Sequence, residues 1–183
     1  MGGDTGRSAI PIETDRLILR ELATEDASFI LALVNDPDWL RFIGDRRIRT
    51  LVDAGAYILG GPVAMYRRLG FGLWHVALKD GTAIGICGLI KRDTLDHVDL
   101  GFAFLPAYRG RGYAFEAAAA SLAYGRNVLK LERIVATTAL DNEASGRLLE
   151  KLGLRFERVI RPAADGAELK LYGRELSAAR CGS

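Results

Sequence analysis

Apolar and polar positions change their rhythm three times within one stretch, Val98 to Val128. Leu100, Phe102 and Phe104 recur at every second residue, which predicts a strand. Pro106 then removes an N–H donor and ends the ladder, and Gly110 and Gly112 free the next turn. Phe115, Ala118, Ala119 and Leu122 follow at helical spacing, predicting a helix whose small side chains lie close against a sheet. Elsewhere, alternation predicts a first strand over Asp15–Arg20, and a hairpin of Phe71–Leu78 and Thr82–Ile90 about Lys79-Asp80-Gly81. It also predicts a strand over Glu132–Thr138 and a terminal hairpin, Arg155–Arg161 with Ala167–Glu175, around Ala164-Asp165-Gly166. Helices are expected from a Thr24 cap to about Val34, where Asn35-Asp36-Pro37 stops the chain, and from Thr50 to Leu59, where Gly60-Gly61-Pro62 interrupts it. Residues 60–70 read as a loop. A last helix begins at Asp141-Asn142, turns Leu148, Leu149 and Leu152 inward, and ends at Gly153, with Leu154 packing back. Trp39, Leu40, Phe42 and Ile43 form a cluster that suits either core or a pocket wall, and Gly85 and Gly88 mark a bulge or a close approach of backbone or ligand. Together these elements make a mixed sheet with helices on both faces.

A chain of 183 residues fits one domain, expected over residues 14–176, with residues 1–13 a disordered lead-in and 177–183 a disordered tail. Its 25 Lys and Arg against 23 Asp and Glu leave a net charge of +2, too little for a broad nucleic-acid or membrane footprint. Cys87 lies in an apolar run and Cys181 in a polar tail, so neither a disulfide framework nor a metal site is suggested, and a reducing cytosol fits. No signal peptide and no spanning helix are expected.

The turn Arg109-Gly110-Arg111-Gly112-Tyr113-Ala114 carries the clearest chemistry. Backbone N–H groups exposed by the glycines, a helix N-terminus and two flanking arginines suit an anion with more than one phosphate. Gly-Lys-Ser/Thr does not follow, and the third glycine of a dinucleotide fingerprint is missing. Placed between a strand and a helix, the turn resembles the R/Q-x-x-G-x-G/A acetyl-coenzyme A signature of the GNAT N-acetyltransferase superfamily. TDRLILR followed by ELATEDA resembles the opening of its RimJ/RimL-like branch, the ribosomal-protein N-terminal acetyltransferases. DNEASGRLLEKLGLRF resembles the block that closes the GNAT core.

The resemblance covers about residues 14–176 and implies the GNAT fold, an α+β arrangement with a central, mostly antiparallel, twisted sheet. It also implies acetyl transfer from acetyl-CoA to a primary amine, on a protein N-terminus or a small molecule, by direct attack in a ternary complex. Carried over by position, Arg109, Gly110, Arg111, Gly112, Tyr113 and Ala114 would take the pyrophosphate. Backbone groups of Phe104 and Leu105 would line the pantetheine arm, with Asn142 bonding it from the neighbouring strand. Asp99 stands where the branch commonly has Glu and would be the general base; a solvent-facing strand residue is the plain alternative. His75 and His97 are fallback bases. Many relatives place a Tyr acid where this chain has Leu149; Ser145, one turn earlier, matches a Ser of the RimJ/RimL-like branch and on that resemblance would donate to the departing thiolate. Asn142 and Ser145 serve equally as ordinary helix-cap and surface residues. Two other functions compete with the enzyme: a GNAT-fold acyl-CoA binding module or sensor, and a simple nucleotide or anion site. A monomer or a homodimer is expected.

Overall fold

A computed structural model describes residues 11–163 and 166–176. The lead-in through Ile10, the turn residues Ala164 and Asp165, and the tail with Cys181 lie outside the described residues. One eight-stranded sheet runs through the domain: β1 (Ile12–Glu13), β2 (Leu17–Glu21), β3 (Leu73–Leu78), β4 (Ala83–Ile90), β5 (Asp99–Phe104), β6 (Arg133–Ala139), β7 (Arg155–Ile160) and β8 (Leu169–Glu175). Their order is β1-β2-β3-β4-β5-β6-β8-β7, antiparallel at every junction but one. That junction is parallel, between β5 and β6. This is the mixed, mostly antiparallel sheet that the resemblance implies. Pairing already starts at Ile12, inside the segment read as a disordered lead-in.

Helices α1 (Ala27–Val34), α2 (Pro37–Phe42) and α3 (Leu51–Ile58) cover one face, and α5 (Tyr113–Asn127) and α6 (Glu143–Lys151) cover the other. The period-two pattern of β5 divides its side chains between them. Leu100, Phe102 and Phe104 pack toward α5 with Leu122 and Trp74, while Ala103 joins Ile30, Leu33, Ile58 and Ile86 beneath α1 and α3.

Three expectations are corrected. Thr24 does not cap α1: Thr24–Asp26 is a 3₁₀ turn, and the buried Asp26 carboxylate accepts from the Ala23 N–H at 2.9 Å while pairing with Arg20. Residues 59–69 are no loop. After α3 the chain makes a π turn, Leu59–Val63, and continues as α4 (Ala64–Leu69); the wider turn accommodates Pro62, which has no N–H to give. On α5 the buried face is Ala117, Ala118, Ser121, Leu122 and Gly125, and Phe115 is left exposed, because the helix is rotated from the spacing that put Phe115 inward.

The approach marked by Gly85 and Gly88 is made by the protein itself. A Cβ on Gly88 would lie 2.2 Å from the Gly72 carbonyl oxygen, and one on Gly85 would lie 2.6 Å from that of Ala103. Beside them Cys87 is fully buried, its Sγ 3.5 Å from Ser121 Oγ on α5, and burial pushes its thiol up to about 12.

Candidate active site

The parallel junction holds at one register position. Asp99 stands beside Val135, and the Val135 N–H donates to the Val98 carbonyl at 3.0 Å; beyond this point no residue of β5 pairs with β6. Ladder bonds alternate in direction along a strand, and the Leu105 N–H is spent on Ile84 of β4, so beyond the junction the Leu100 C=O and the N–H and C=O groups of Phe102 and Phe104 turn toward the gap. A cavity of about 1380 Å³ passes through this gap and reaches both faces of the sheet.

At its α5 end lies the glycine turn. Gly110 and Gly112 have φ of 70° and 82°, the left-handed region that side chains resist. Nothing lies within 4 Å of where a Cβ on Gly110 would stand, so the cradle is open. Gly112 is the residue before α5 and lends it no side-chain cap, leaving the first-turn N–H groups without that partner.

The charge at this turn is not arranged as the sequence suggests. Arg109 folds back: its Nε donates to the Phe104 carbonyl at 2.8 Å, and its terminal nitrogens bind Asp36, at 2.5 Å, and Asp38 at the start of α2. Arg111 is exposed. The nearby cation is instead Arg16, which donates to the Arg111 carbonyl at 3.0 Å, stands 4.5 Å from the Tyr113 ring centroid, and has Nη2 3.2 Å from a Cβ placed on Gly112. It is held by Glu116 at 2.7 Å. Burial raises that carboxyl, but hydrogen bonds from Thr14, the Arg16 N–H and the Arg16 side chain outweigh it and hold Glu116 below its usual range. Arg16 sits in the TDR motif, but its sequence distance from the turn hid the contact.

Several expected site residues take other work. The Leu105 C=O accepts from the Tyr108 N–H at 3.0 Å, so its backbone groups are both committed, and Phe104 retains only its N–H on the gap side. Phe102, which sequence reasoning missed, presents both groups there and lines the cavity; strand alternation was the signal that could have found it. Leu105, Arg111 and Tyr113 lie outside the lining. Asn142 is the cap of α6, its Oδ1 accepting from the Ser145 N–H at 3.1 Å. The cap uses only the oxygen, so Nδ2 remains a donor at the cavity wall and the two roles do not compete. Ser145 and the fully buried Leu149 stand on the same wall.

Asp99 marks the point where the strands part. It is 1% exposed and lines the cavity, which overturns the solvent-facing alternative. Its Oδ2 accepts from Arg92 Nε at 2.6 Å, whereas Oδ1 has no hydrogen-bond partner among the described residues. Burial pushes its carboxyl up to about 6, the Arg92 charge and the nearby Thr137 backbone offsetting only part of the rise. The other bases fall away. His75 is enclosed beneath Phe29 beside Asp26, its pKa lowered by burial, and His97 lies by the β5 entrance; neither lines the cavity. Trp39 is both core and wall: it packs with Ile86 and Leu33, and lines the cavity with its buried Nε1 unpartnered among the described residues. No group of three His, Cys, Asp or Glu among the described residues is arranged to hold a metal.

Comparison with known proteins agrees with this geometry. The acetyltransferase (GNAT) domain family matches residues 16–155. The uncharacterized N-acetyltransferase YoaA of Bacillus subtilis (strain 168) is 32% identical over 155 residues, covering 82% of this chain and 85% of its own. Among solved structures, a GNAT-family acetyltransferase from Bacillus anthracis superposes with a TM-score of 0.75 at 26% identity, over 91% of this chain and 99% of that one. RimL, a ribosomal L7/L12 α-N-protein acetyltransferase in complex with coenzyme A, shares the fold at a TM-score of 0.77, over 91% of this chain and 98% of its own, at 15% identity. The domain match over residues 16–155 and the likeness to YoaA show the family: this chain is an acetyltransferase of the GNAT family.

Proposed function

We propose that the protein transfers an acetyl group from acetyl-CoA to a primary amine by direct attack in a ternary complex, with Asp99 as general base. The observation that carries this is the position of Asp99, buried at the apex of the β5–β6 gap with Oδ1 unpartnered among the described residues and only the Thr137 backbone nearby. Acetyl-CoA supplies the acyl thioester. Gly110 to Ala114 receive its pyrophosphate on backbone N–H groups, Arg16 and Arg111 supply the charge, and the Phe102 backbone and Asn142 Nδ2 hold the arm in the gap. Arg109 contributes by fixing the turn against α2.

Asp99 reaches the opposite face, where an amine enters. With its pKa near 6 the carboxylate is ionised at neutral pH, so it can take a proton from the incoming ammonium directly or through one water. Arg92 holds Oδ2 and aims Oδ1. Ser145 stands on the α5 side of the gap, where a thiolate departs; because an ordinary thiol loses its proton near pH 8.5, a weak donor suffices there. Burial of Trp39, Leu33 and Ile86 around the gap keeps bulk water from the reacting groups.

Coenzyme A release should be followed over a panel of peptides and small amines. Turnover with intersecting double-reciprocal lines is expected. Parallel lines would replace direct attack with a covalent relay. Tight coenzyme A binding without turnover on any acceptor would make the protein a binding module or sensor.

A further inference from the structure

Opposite the glycine turn, on the α1–α3 face, the cavity wall carries donors that the protein leaves unused. Arg46, in the loop between α2 and α3, lines the cavity, and no acceptor among the described residues takes its guanidinium. Asp45 beside it in the loop is committed to Arg49 at 2.6 Å, and Asp38 of the same cavity wall is committed to Arg109. Arg92 spends Nε on Asp99 and keeps its two terminal nitrogens. Between them stands Tyr57 of α3, half-buried, whose phenol feels the positive charge of both arginines. Trp39 adds an indole N–H that is buried and unpartnered among the described residues.

Two guanidinium groups, Arg46 and Arg92, stand on the same wall as the Asp99 carboxylate, and the other carboxylate of this wall, Asp38, is already bound by Arg109. A polyamine or an aminoglycoside would add charge of the same sign. An amine that also bears an anion satisfies every group: the ammonium meets Asp99 Oδ1, and the anion meets Arg46, the outer nitrogens of Arg92 and the donors of Tyr57 and Trp39. Geometry limits the size. Because Arg92 already grips Asp99 through Nε, an anion on its outer edge lies on the order of 6 Å from that carboxylate, one guanidinium width and two hydrogen bonds away. An amine and a carboxylate separated by one or two carbons span this distance.

We infer that the acceptor is a small amino acid, its free carboxylate held by Arg46, Arg92, Tyr57 and Trp39 while its amine meets Asp99. This rests on the reading of the cavity as an acetyl-transfer site and names the substrate class it takes.

The test uses α- and β-amino acids, each beside its carboxamide, its decarboxylated amine and its phosphonate analogue, with saturating acetyl-CoA. The carboxylates should exceed the carboxamides roughly 10-fold in kcat/KM, a modest ratio because Arg46 and Arg92 are exposed and their charge is screened by solvent. The loss should fall in KM. Arg46→Ala should raise KM for the amino acid roughly 3- to 10-fold, leave kcat within about twofold, and leave the carboxamide unchanged. Arg46→Lys should restore part of the affinity. Equal turnover of carboxylate and carboxamide, or a phosphonate that outperforms the carboxylate, overturns the assignment. Calorimetry on the coenzyme A complex separates the two proposals. If amino acids bind and weaken about threefold or more in Arg46→Ala without being acetylated, the anion pocket stands and the transfer reading falls. If no amino acid shows Arg46-dependent binding while other amines are acetylated, the transfer reading stands and the pocket falls; if no amino acid binds through Arg46 and no amine is acetylated, both fall.

Discussion

On the α5 side the cavity wall is built largely of main chain: two glycines in left-handed conformation, a helix start without a side-chain cap, and the unpaired edge of β5. On the α1–α3 side it is built of side chains from separate segments: Trp39 of α2, Arg46 of a loop, Tyr57 of α3, and Arg92 with Asp99. In the proposed function the first half recognises what acetyl donors share, phosphate and amide, with groups every residue carries. The second, on the same proposal, reads what distinguishes one amine from another, and that takes particular side chains. Substitutions should therefore damage the halves in different ways.

The largest effect is expected at Asp99. Asp99→Asn should lower kcat by roughly 10²–10⁴ at neutral pH while leaving coenzyme A affinity nearly intact. In the parent protein the base works ionised, so activity should rise with pH through about 6 as the carboxyl loses its proton. That acidic limb should vanish in the variant. A rate near that of the parent would make the α1–α3 half a binding surface only.

Gly112→Val comes next and attacks the other half. A β-branched residue at φ of 82° is strained, and its Cβ would crowd Arg16. Coenzyme A affinity should fall roughly 10- to 100-fold by calorimetry, at a cost of about 1–3 kcal/mol. Unchanged affinity would place the phosphates elsewhere.

Arg109→Ala probes the seam between the halves. It leaves the buried Asp36 without its guanidinium and releases α2 from the turn, so urea unfolding should show a loss of about 1–3 kcal/mol. Coenzyme A affinity should change much less than stability; the opposite ranking would return Arg109 to the phosphates. Smallest is Arg111→Ala. Its exposed side chain should contribute under about 1 kcal/mol to coenzyme A binding, shrinking at high salt.

The same contrast governs what could be read in advance. The glycine turn and the α6 block are each contiguous in sequence, so local motifs were enough to single out Gly110, Gly112 and Asn142, all of which line the cavity. Asp99 was singled out by the resemblance, while the strand pattern left its side open between a base and a solvent-facing residue; the structure buries it. Arg109 was misjudged because its partners, Asp36 and Asp38, lie 73 and 71 residues earlier. Arg16, Arg46, Tyr57 and Arg92 escaped for the same reason: each reaches the cavity through the fold and not through its neighbours in the chain. The helix across Pro62 was missed because a proline and two glycines predict a break, whereas a π turn absorbs them.

Cys87 has a practical consequence. Its sulfur is sealed between β4 and α5, and at neutral pH it holds its proton. Alkylating reagents and peroxide act on thiolates they can reach, so in the folded protein this side chain is silent to both. It becomes reactive when α5 lifts from the sheet. The rate at which Cys87 is alkylated, followed by mass spectrometry of its tryptic peptide, is therefore a clock for the opening of the cofactor half, available without introducing a label.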